Sequence, residues 1–470
     1  LSKALRLLGH KVTVALPRYP EIEAAGVMVA RRLTPISLPS AAGEGKLEAM
    51  VFDGRLGSGV ELLLLDFADP DAPAASGRQT TGYFERPGIY GHDGADYADN
   101  ARRYGLFCRA VVELVKQRAV QGQPFDVVHA HDWPTALVPY LLREGEFEGR
   151  RPKSVLTIHN LAHQGVFPRA ALAHAGLDDT HFQPDKLEFY GQVNFLKAGI
   201  LAADALTTVS NTYARAILTP EEGEKLDGVL RLRQNAILGI VNGIDYAVYN
   251  PMTDPALVAR YDAEDTSNKA RCKTALYAEL GLELVPERPL VASIGRVVHQ
   301  KGSDLLATSL PKMLKGEMAF VGVGDGDPAL VAKLRAAVAK TPERAQFLGA
   351  RPEAMVHKVL AAADFIVMPS RYEPCGLVQL YAQRYGAVPI VSATGGLVDT
   401  VVDLDAELET GTGFLFEKGT ATGLVGAVQR ALAAFMHPRW PSVRRRVMRL
   451  DLGWDRPARR YASIYKTLTA

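Results

Sequence analysis

The stretch Pro369–Val401, PSRYEPCGLVQLYAQRYGAVPIVSATGGLVDTV, decides the fold. It is entered from an apolar run, Phe365–Met368, with the length and branched side chains of a buried strand. Pro369 ends that strand, and Glu373 lies in the loop that follows. A helical segment over Gly376–Tyr385 leads to a second apolar run, Val388–Val391, and Thr394-Gly395-Gly396-Leu397 then opens another helix. Strand, helix and strand in this alternation predict parallel strands, because only a crossover of this length can return the chain in the same direction. Open parallel sheets bind ligands beyond the carboxyl ends of their strands, so both loops are expected at one crevice. Paired glycines let backbone N–H groups approach an anion, and a helix N-terminus adds positive potential. Glu373 places a carboxylate beside this cradle, which suits a phosphate-bearing sugar donor. Singly, a Gly-Gly pair is turn chemistry and a loop Glu is a solvated charge. Their order carries the information.

At 470 residues the chain has room for two to four domains, and 47% hydrophobic with 23% charged residues is ordinary globular composition. A formal net charge of +2 gives no electrostatic reason to expect nucleic acid or an anionic membrane as partner. The late cluster Arg444, Arg445, Arg446, Arg449, Arg456, Arg459 and Arg460 has the spacing of wet helix faces. Cys108, Cys272 and Cys375 are odd in number and scattered, which speaks for a reducing compartment such as the cytoplasm and against a disulfide framework. No apolar run approaches the ~18 residues that span a bilayer. Leu1–Gly9 reads as the end of a helix feeding the strand Lys11–Leu16, so one more strand and loop are expected upstream.

From Leu1 to about Asp245 strands alternate with helices: Lys11–Leu16, Val60–Phe67, Phe125–Ala130, Ser154–Ile158 and Ala205–Val209, with a helix over Asp96–Lys116. A Gly- and Pro-rich region separates the first two. After Asn242–Pro251 a second alternation begins, with strands Leu290–Ile294, Met318–Val323, Ala345–Leu348, Phe365–Met368, Val388–Val391 and Gly413–Phe416. The expected fold is α/β, two Rossmann-like domains facing a cleft. Their bounds are 1–245, a hinge at 246–256, 257–440, and terminal helices over 441–470 that cross back.

Four further loops are candidates for chemistry. Arg296 and Lys301 follow the strand Leu290–Ile294, where an arginine fork and a lysine point charge could hold a diphosphate. Gly322-Val323-Gly324-Asp325-Gly326 fails the dinucleotide spacing and reads as a tight turn. His129-Ala130-His131-Asp132-Trp133 and Thr157-Ile158-His159-Asn160 end two strands of the first half, with His163 on the second loop. If those strands are neighbours, their polar ends meet where an acceptor hydroxyl could bind. Histidines and an aspartate at a strand end also begin the ligand set of many metal-dependent hydrolases.

In this order, HAHDW, TIHNLAHQGVF, FLKAGILAADALTTVS, GIVNGID, QKG, SRYEPCGLVQLY and TGGL resemble the bacterial glycogen synthases and plant starch synthases, glycosyltransferase family five. The likeness runs from Leu1 to about Tyr465. It implies a GT-B type fold and transfer of glucose from ADP-glucose to an α-1,4-glucan (glycogen or a maltooligosaccharide) with retention, without cofactor or metal. The catalytic group would be Glu373, Arg296, Lys301, His159 and Asp132. The donor would be held by Arg296, Lys301, Asn242, Cys375, Gly376, Thr394, Gly395, Gly396 and Leu397. Asp132, His159 and Asn160 would face the acceptor. The departing diphosphate would help take the acceptor proton in a same-face transfer.

Three departures matter, two from the family pattern and one from that of the wider class. The K-T-G-G-L donor loop is absent from the sequence. Tyr381 stands where the wider class has a second Glu, as in this family. Ser392-Ala393 precede TGGL where bacterial relatives often carry a basic residue. Two other readings compete: a metal-dependent hydrolase using His129, His131, Asp132 and His159, and an inactive glucan-binding fragment. The choice between ADP- and UDP-glucose is not legible in these residues.

Overall fold

The computed structural model describes residues 1–38, 47–68, 82–92, 94–147 and 149–470. Part of the Gly- and Pro-rich region, 39–46, lies outside them. The chain forms two compact units. The first comprises Leu1–Thr208, Ala214–Ile240 and Asp455–Ala470, and the second Val209–Tyr213 and Val241–Trp454.

The second unit is built on six parallel strands. In sheet order these are Ala345–Phe347, Ala319–Val323, Leu290–Ile294, Phe365–Met368, Val388–Ser392 and Phe414–Phe416. Numbered along the chain, that is the order 3-2-1-4-5-6 of a doubly wound sheet, with its switch point between strands 1 and 4. Continuous apolar runs suit this position because both faces are covered. Successive side chains alternate between two cores: Val291, Phe320, Phe365, Val367 and Ile390 face one, and Leu290, Ala292, Val321, Ile366 and Val391 face the other. Helices Ser303–Met313, Pro328–Val338 and Ala421–Phe435 cover the first face; Asn268–Leu280, Glu353–Ala362 and Val378–Arg384 cover the second. The glycine loop after Val323 ends in Asp327-Pro328. The Asp327 carboxylate accepts from Ala329 and Leu330 N–H at 2.8 and 3.2 Å, capping the helix that Pro328 begins. The turn thus serves helix initiation.

The first unit differs from the single wound sheet expected. Besides two small antiparallel sheets, its described residues form one four-stranded parallel sheet, ordered Ile237–Gly239, Ala205–Thr208, Lys153–Ile158 and Val127–His131, and one mixed five-stranded sheet. In the latter Thr13–Pro17 runs parallel to Glu61–Asp66, which pairs antiparallel with Leu47–Arg55. Leu47–Arg55 also takes Val29–Arg31 and Ile36–Leu38 antiparallel. Val29–Arg31 and Ile36–Leu38 are three residues each, and the nine-residue Leu47–Arg55 is broken by Glu48, Asp53 and Gly54, so local pattern does not announce them. A cavity of about 130 Å³ is lined by Thr13, Ala15, Val128, Ala130, Phe107 and Val111, among others. The helix expected over Asp96–Lys116 spans Asn100–Val120, because Ala95–Asp96 pairs with Gly91–His92 instead.

Of the terminal helices, Trp440–Met448 remains in the second unit, where Trp440, Val443, Val447 and Met448 are core residues. Only Asp455–Thr469 lies in the first unit, where Tyr465 Oη meets His129 Nδ1 at 2.7 Å.

A buried carboxylate ties Trp440–Met448 to the sheet. Asp364, just before the strand Phe365–Met368, meets Lys273 Nζ and Arg444 Nη2 at 2.9 Å each and accepts from Leu290 N–H at 3.0 Å. Burial opposes its charge, but the two cations and the amide outweigh it and hold its pKa below the usual carboxylate range. A depressed folded pKa means stability present above the unfolded value of about 3.9 and lost as pH falls through the folded one. Asp364→Ala is therefore expected to cost about 3–5 kcal/mol in urea melts at pH 7, by stranding Lys273 and Arg444. The difference from wild type should shrink below about pH 4.

Candidate active site

At the switch point of the second unit, the loops after strands Leu290–Ile294 and Phe365–Met368 run side by side. Two glycines set how close they come. Gly302 is left-handed (φ +68°), and a Cβ there would sit 1.9 Å from Pro369 O. A Cβ on Gly396 would sit 2.4 Å from Cys375 Cα, so the TGGL turn also lies directly against the Glu373 loop. Neither contact leaves room for any other residue.

This packing brings the charges together. Lys301 Nζ lies 2.5 Å from Glu373 Oε2, and Ser370 Oγ donates to the same oxygen at 3.1 Å. The Glu373 side chain is 5% exposed and that of Lys301 28%. A buried carboxylate needs such a partner, since removing one member of a buried pair strands the other. Arg296 is exposed, and among the described residues it makes no ion pair, so its fork is open to an incoming anion. Arg296, Lys301, Ser370, Gly376 and Leu377 line one cavity of about 80 Å³. Of the donor-side residues expected from sequence, Arg296, Lys301, Gly376, Glu373, Cys375 and the TGGL turn share one end of the sheet.

The TGGL turn works differently from the expectation. Gly396 N–H, assigned to an anion, donates to Glu373 O at 2.9 Å. The physical reason is the missing Cβ: the backbones approach closely enough to bond each other. Thr394 Oγ1 adds a long bond to Arg371 O, 3.4 Å. Cys375 is buried, with its sulfur receiving the Asn242 backbone N–H, and burial pushes its pKa up to about 12. A thiol so rarely ionised is a poor nucleophile. Sequence reasoning missed Ser370, and also Arg371, whose guanidinium grips Asp304 in two bonds of 2.6 and 2.7 Å. The signal available was a polar SRY run ahead of Glu373.

In the first unit, Val127–His131 and Lys153–Ile158 are neighbouring parallel strands with His131 opposite Thr157, so their carboxyl ends do meet. Asp132 holds a strained backbone (φ +55°). Its Oδ1 accepts from His159 N–H at 2.7 Å and Asn160 N–H at 3.4 Å, and burial raises its pKa. His131 Nδ1 lies 3.1 Å from His159 Nε2. His129 is engaged at both ring nitrogens, by Tyr465 Oη at 2.7 Å and Thr157 Oγ1 at 2.6 Å, and enclosure lowers its pKa to about 3. With no free ring nitrogen, His129 is a poor metal ligand. Among the described residues no group of three His, Cys, Asp or Glu is disposed to hold a metal ion, and no helix is long and apolar enough to cross a membrane.

Comparison with known proteins gives a consistent answer. The starch synthase catalytic domain family matches residues 1–232, and glycosyl transferases group 1 matches residues 281–435. The chain is 40% identical over 475 residues to the glycogen synthase of Geotalea uraniireducens, covering 100% of this chain and 94% of that protein. It is 42% identical over 478 residues to the glycogen synthase of Myxococcus xanthus, with the same two coverages. Its structure is similar to the catalytic domain of starch synthase IV from Arabidopsis thaliana bound to ADP and acarbose. That match has a TM-score of 0.89 and 30% identity, over 100% of this chain and 94% of the other. Sucrose-phosphate synthase from Thermosynechococcus elongatus, at 18% identity and TM-score 0.58 over 99% and 91%, shares the fold.

All three cysteines are buried and free, and burial pushes Cys108 as well as Cys375 up to about 12. Titration of the native protein with a thiol reagent at pH 8 is expected to find almost no reactive sulfur, and denaturation to release all three. Fast labelling of Cys375 in the native state would contradict its inert role.

Proposed function

The chain belongs to the glycogen and starch synthase family and is a glycosyltransferase that builds glycogen by glucosyl transfer, and on that premise we propose that its donor is ADP-glucose and its acceptor the non-reducing end of an α-1,4-glucan. The observation that carries the residue assignment is the Lys301–Glu373 pair beside the open Arg296 fork, around one cavity at a topological switch point. The ADP bound to the similar starch synthase structure supports an adenine nucleotide as the donor's leaving group. Three buried, unpaired thiols support a cytoplasmic setting.

Each residue then has a physical task. As the bond from anomeric carbon to phosphate oxygen breaks, the diphosphate gains charge. Arg296 and Lys301 stabilise that charge more than the ground state, which lowers the barrier. Glu373, fixed through one oxygen by Lys301 and Ser370, keeps the other for the donor glucose. Asn242, Cys375, Gly376, Thr394, Gly395, Gly396 and Leu397 shape the donor site, with Gly396 fastening the turn and not binding the anion. On the first unit, Asp132 orders the loop carrying His159 and Asn160 for the acceptor. Retention fits a same-face transfer in which the departing diphosphate receives the acceptor proton.

Transfer of labelled glucose to a short maltooligosaccharide tests the donor. ADP-glucose should give a kcat/KM at least tenfold above UDP-glucose, and the reverse preference would overturn the assignment. Lys301→Ala and Glu373→Gln are each expected to lower kcat about 10²–10³-fold, the scale of losing one preorganised charge stabiliser. Near-normal turnover would remove that residue from the mechanism.

A further inference from the structure

The donor-site pair is made of residues from two different segments, 299–304 and 369–373, and its geometry depends on what holds those segments in register. Four polar links do so. Arg371 N–H donates to Gln300 O at 2.9 Å, and Gln300 Nε2 donates to Tyr372 O at 3.3 Å. Arg371 Nη1 donates to His299 O at 2.9 Å. The fourth is the fork itself, Nη1 to Asp304 Oδ1 at 2.6 Å and Nη2 to Oδ2 at 2.7 Å. His299 Nε2 also lies 3.7 Å from Asp304 Oδ2. Asp304 stands in the first turn of the helix Ser303–Met313, where a carboxylate is favourable. Asp304 is three residues from Lys301, and Arg371 two from Glu373.

We propose that Arg371 and Asp304 are positioning residues for glucosyl transfer, whose two-point ion pair sets the spacing between Lys301 and Glu373. The inference rests on the donor-site reading above and extends it to residues that touch neither diphosphate nor glucose in that reading. A planar fork on a carboxylate fixes both distance and orientation, which a lysine cannot do. The pair is about one-third exposed (31% and 29%), so it adds little to global stability, and its role is register. Misplacing a reacting group by about 1 Å costs up to 10²-fold in rate.

The test compares Arg371→Lys, Asp304→Asn and the double variant with wild type and Lys301→Ala, measuring kcat, KM for the nucleotide sugar, ADP affinity and thermal melting. Each single variant is expected to lose at least tenfold in kcat. KM and the ADP dissociation constant should stay within threefold, with Tm nearly unchanged. The double variant should be no slower than the worse single, since both remove one interaction. Folded single variants with kcat within twofold of wild type would overturn the proposal, as would multiplying losses in the double variant. A loss confined to Tm would reassign the pair to stability. Should Arg371→Lys fail to fold, Asp304→Asn carries the same test. If Lys301→Ala loses rate and Arg371→Lys does not, the positioning role alone falls. If Lys301→Ala is also unimpaired, the donor-site reading falls and takes the positioning role with it.

Discussion

Three loops in the second unit touch backbone to backbone, and the site there depends on those contacts. Gly302 leaves no space for a Cβ against Pro369 O, and Gly396 none against Cys375 Cα. Because the loops can close to this distance, the Lys301 ammonium reaches the buried Glu373 carboxylate and Gly396 N–H reaches Glu373 O. The sheet supplies only the coarse placement: neighbouring strands lie about 4.8 Å apart, and their loops leave from the same edge. The glycines supply the fine placement. A side chain at Gly302 would push apart the two segments carrying a charge pair whose members are both expensive to leave alone.

The buried Asp364 plays the corresponding role beneath the sheet. It gathers Lys273, Arg444 and Leu290 N–H at the start of the strand that ends at the Glu373 loop. The strand is thus held at its entry by one ion cluster and at its exit by another. Both use a carboxylate that would be unfavourable in an apolar interior without its cations. The network at the entry serves stability, while the one at the exit leaves Arg296 open for an anion.

The strand end His129-Ala130-His131-Asp132 shows how similar residue chemistry can point in different directions. Read as a string, it fits either an acceptor site or the start of a metal set. In the fold, His129 is consumed by Tyr465 and Thr157, and Asp132 turns inward to order the next loop. The strained φ of Asp132 is what aims its carboxylate at those N–H groups. His131 and His159 remain in contact with each other. The distinction rests on where Nδ1, Nε2 and Oδ1 point, which residue type does not encode.

Alternating apolar runs, by themselves, determined the parallel strands of the second unit, their order along the chain and the two-half organisation, because burial on both faces leaves a local signature. The motifs EPCGL, TGGL and QKG also determined the family to which the chain belongs. Tertiary structure alone decided the partners: that Gly396 N–H bonds Glu373 O, that Arg371 finds Asp304 across 67 positions, and that Asp455–Thr469 packs in the first unit while Trp440–Met448 packs in the second. It also decided the antiparallel strands Leu47–Arg55, Val29–Arg31 and Ile36–Leu38, whose pairing satisfies backbone groups that no periodic side-chain pattern marks. Periodicity records how a segment is covered; the atom that meets a given donor is set only when distant segments close on one another.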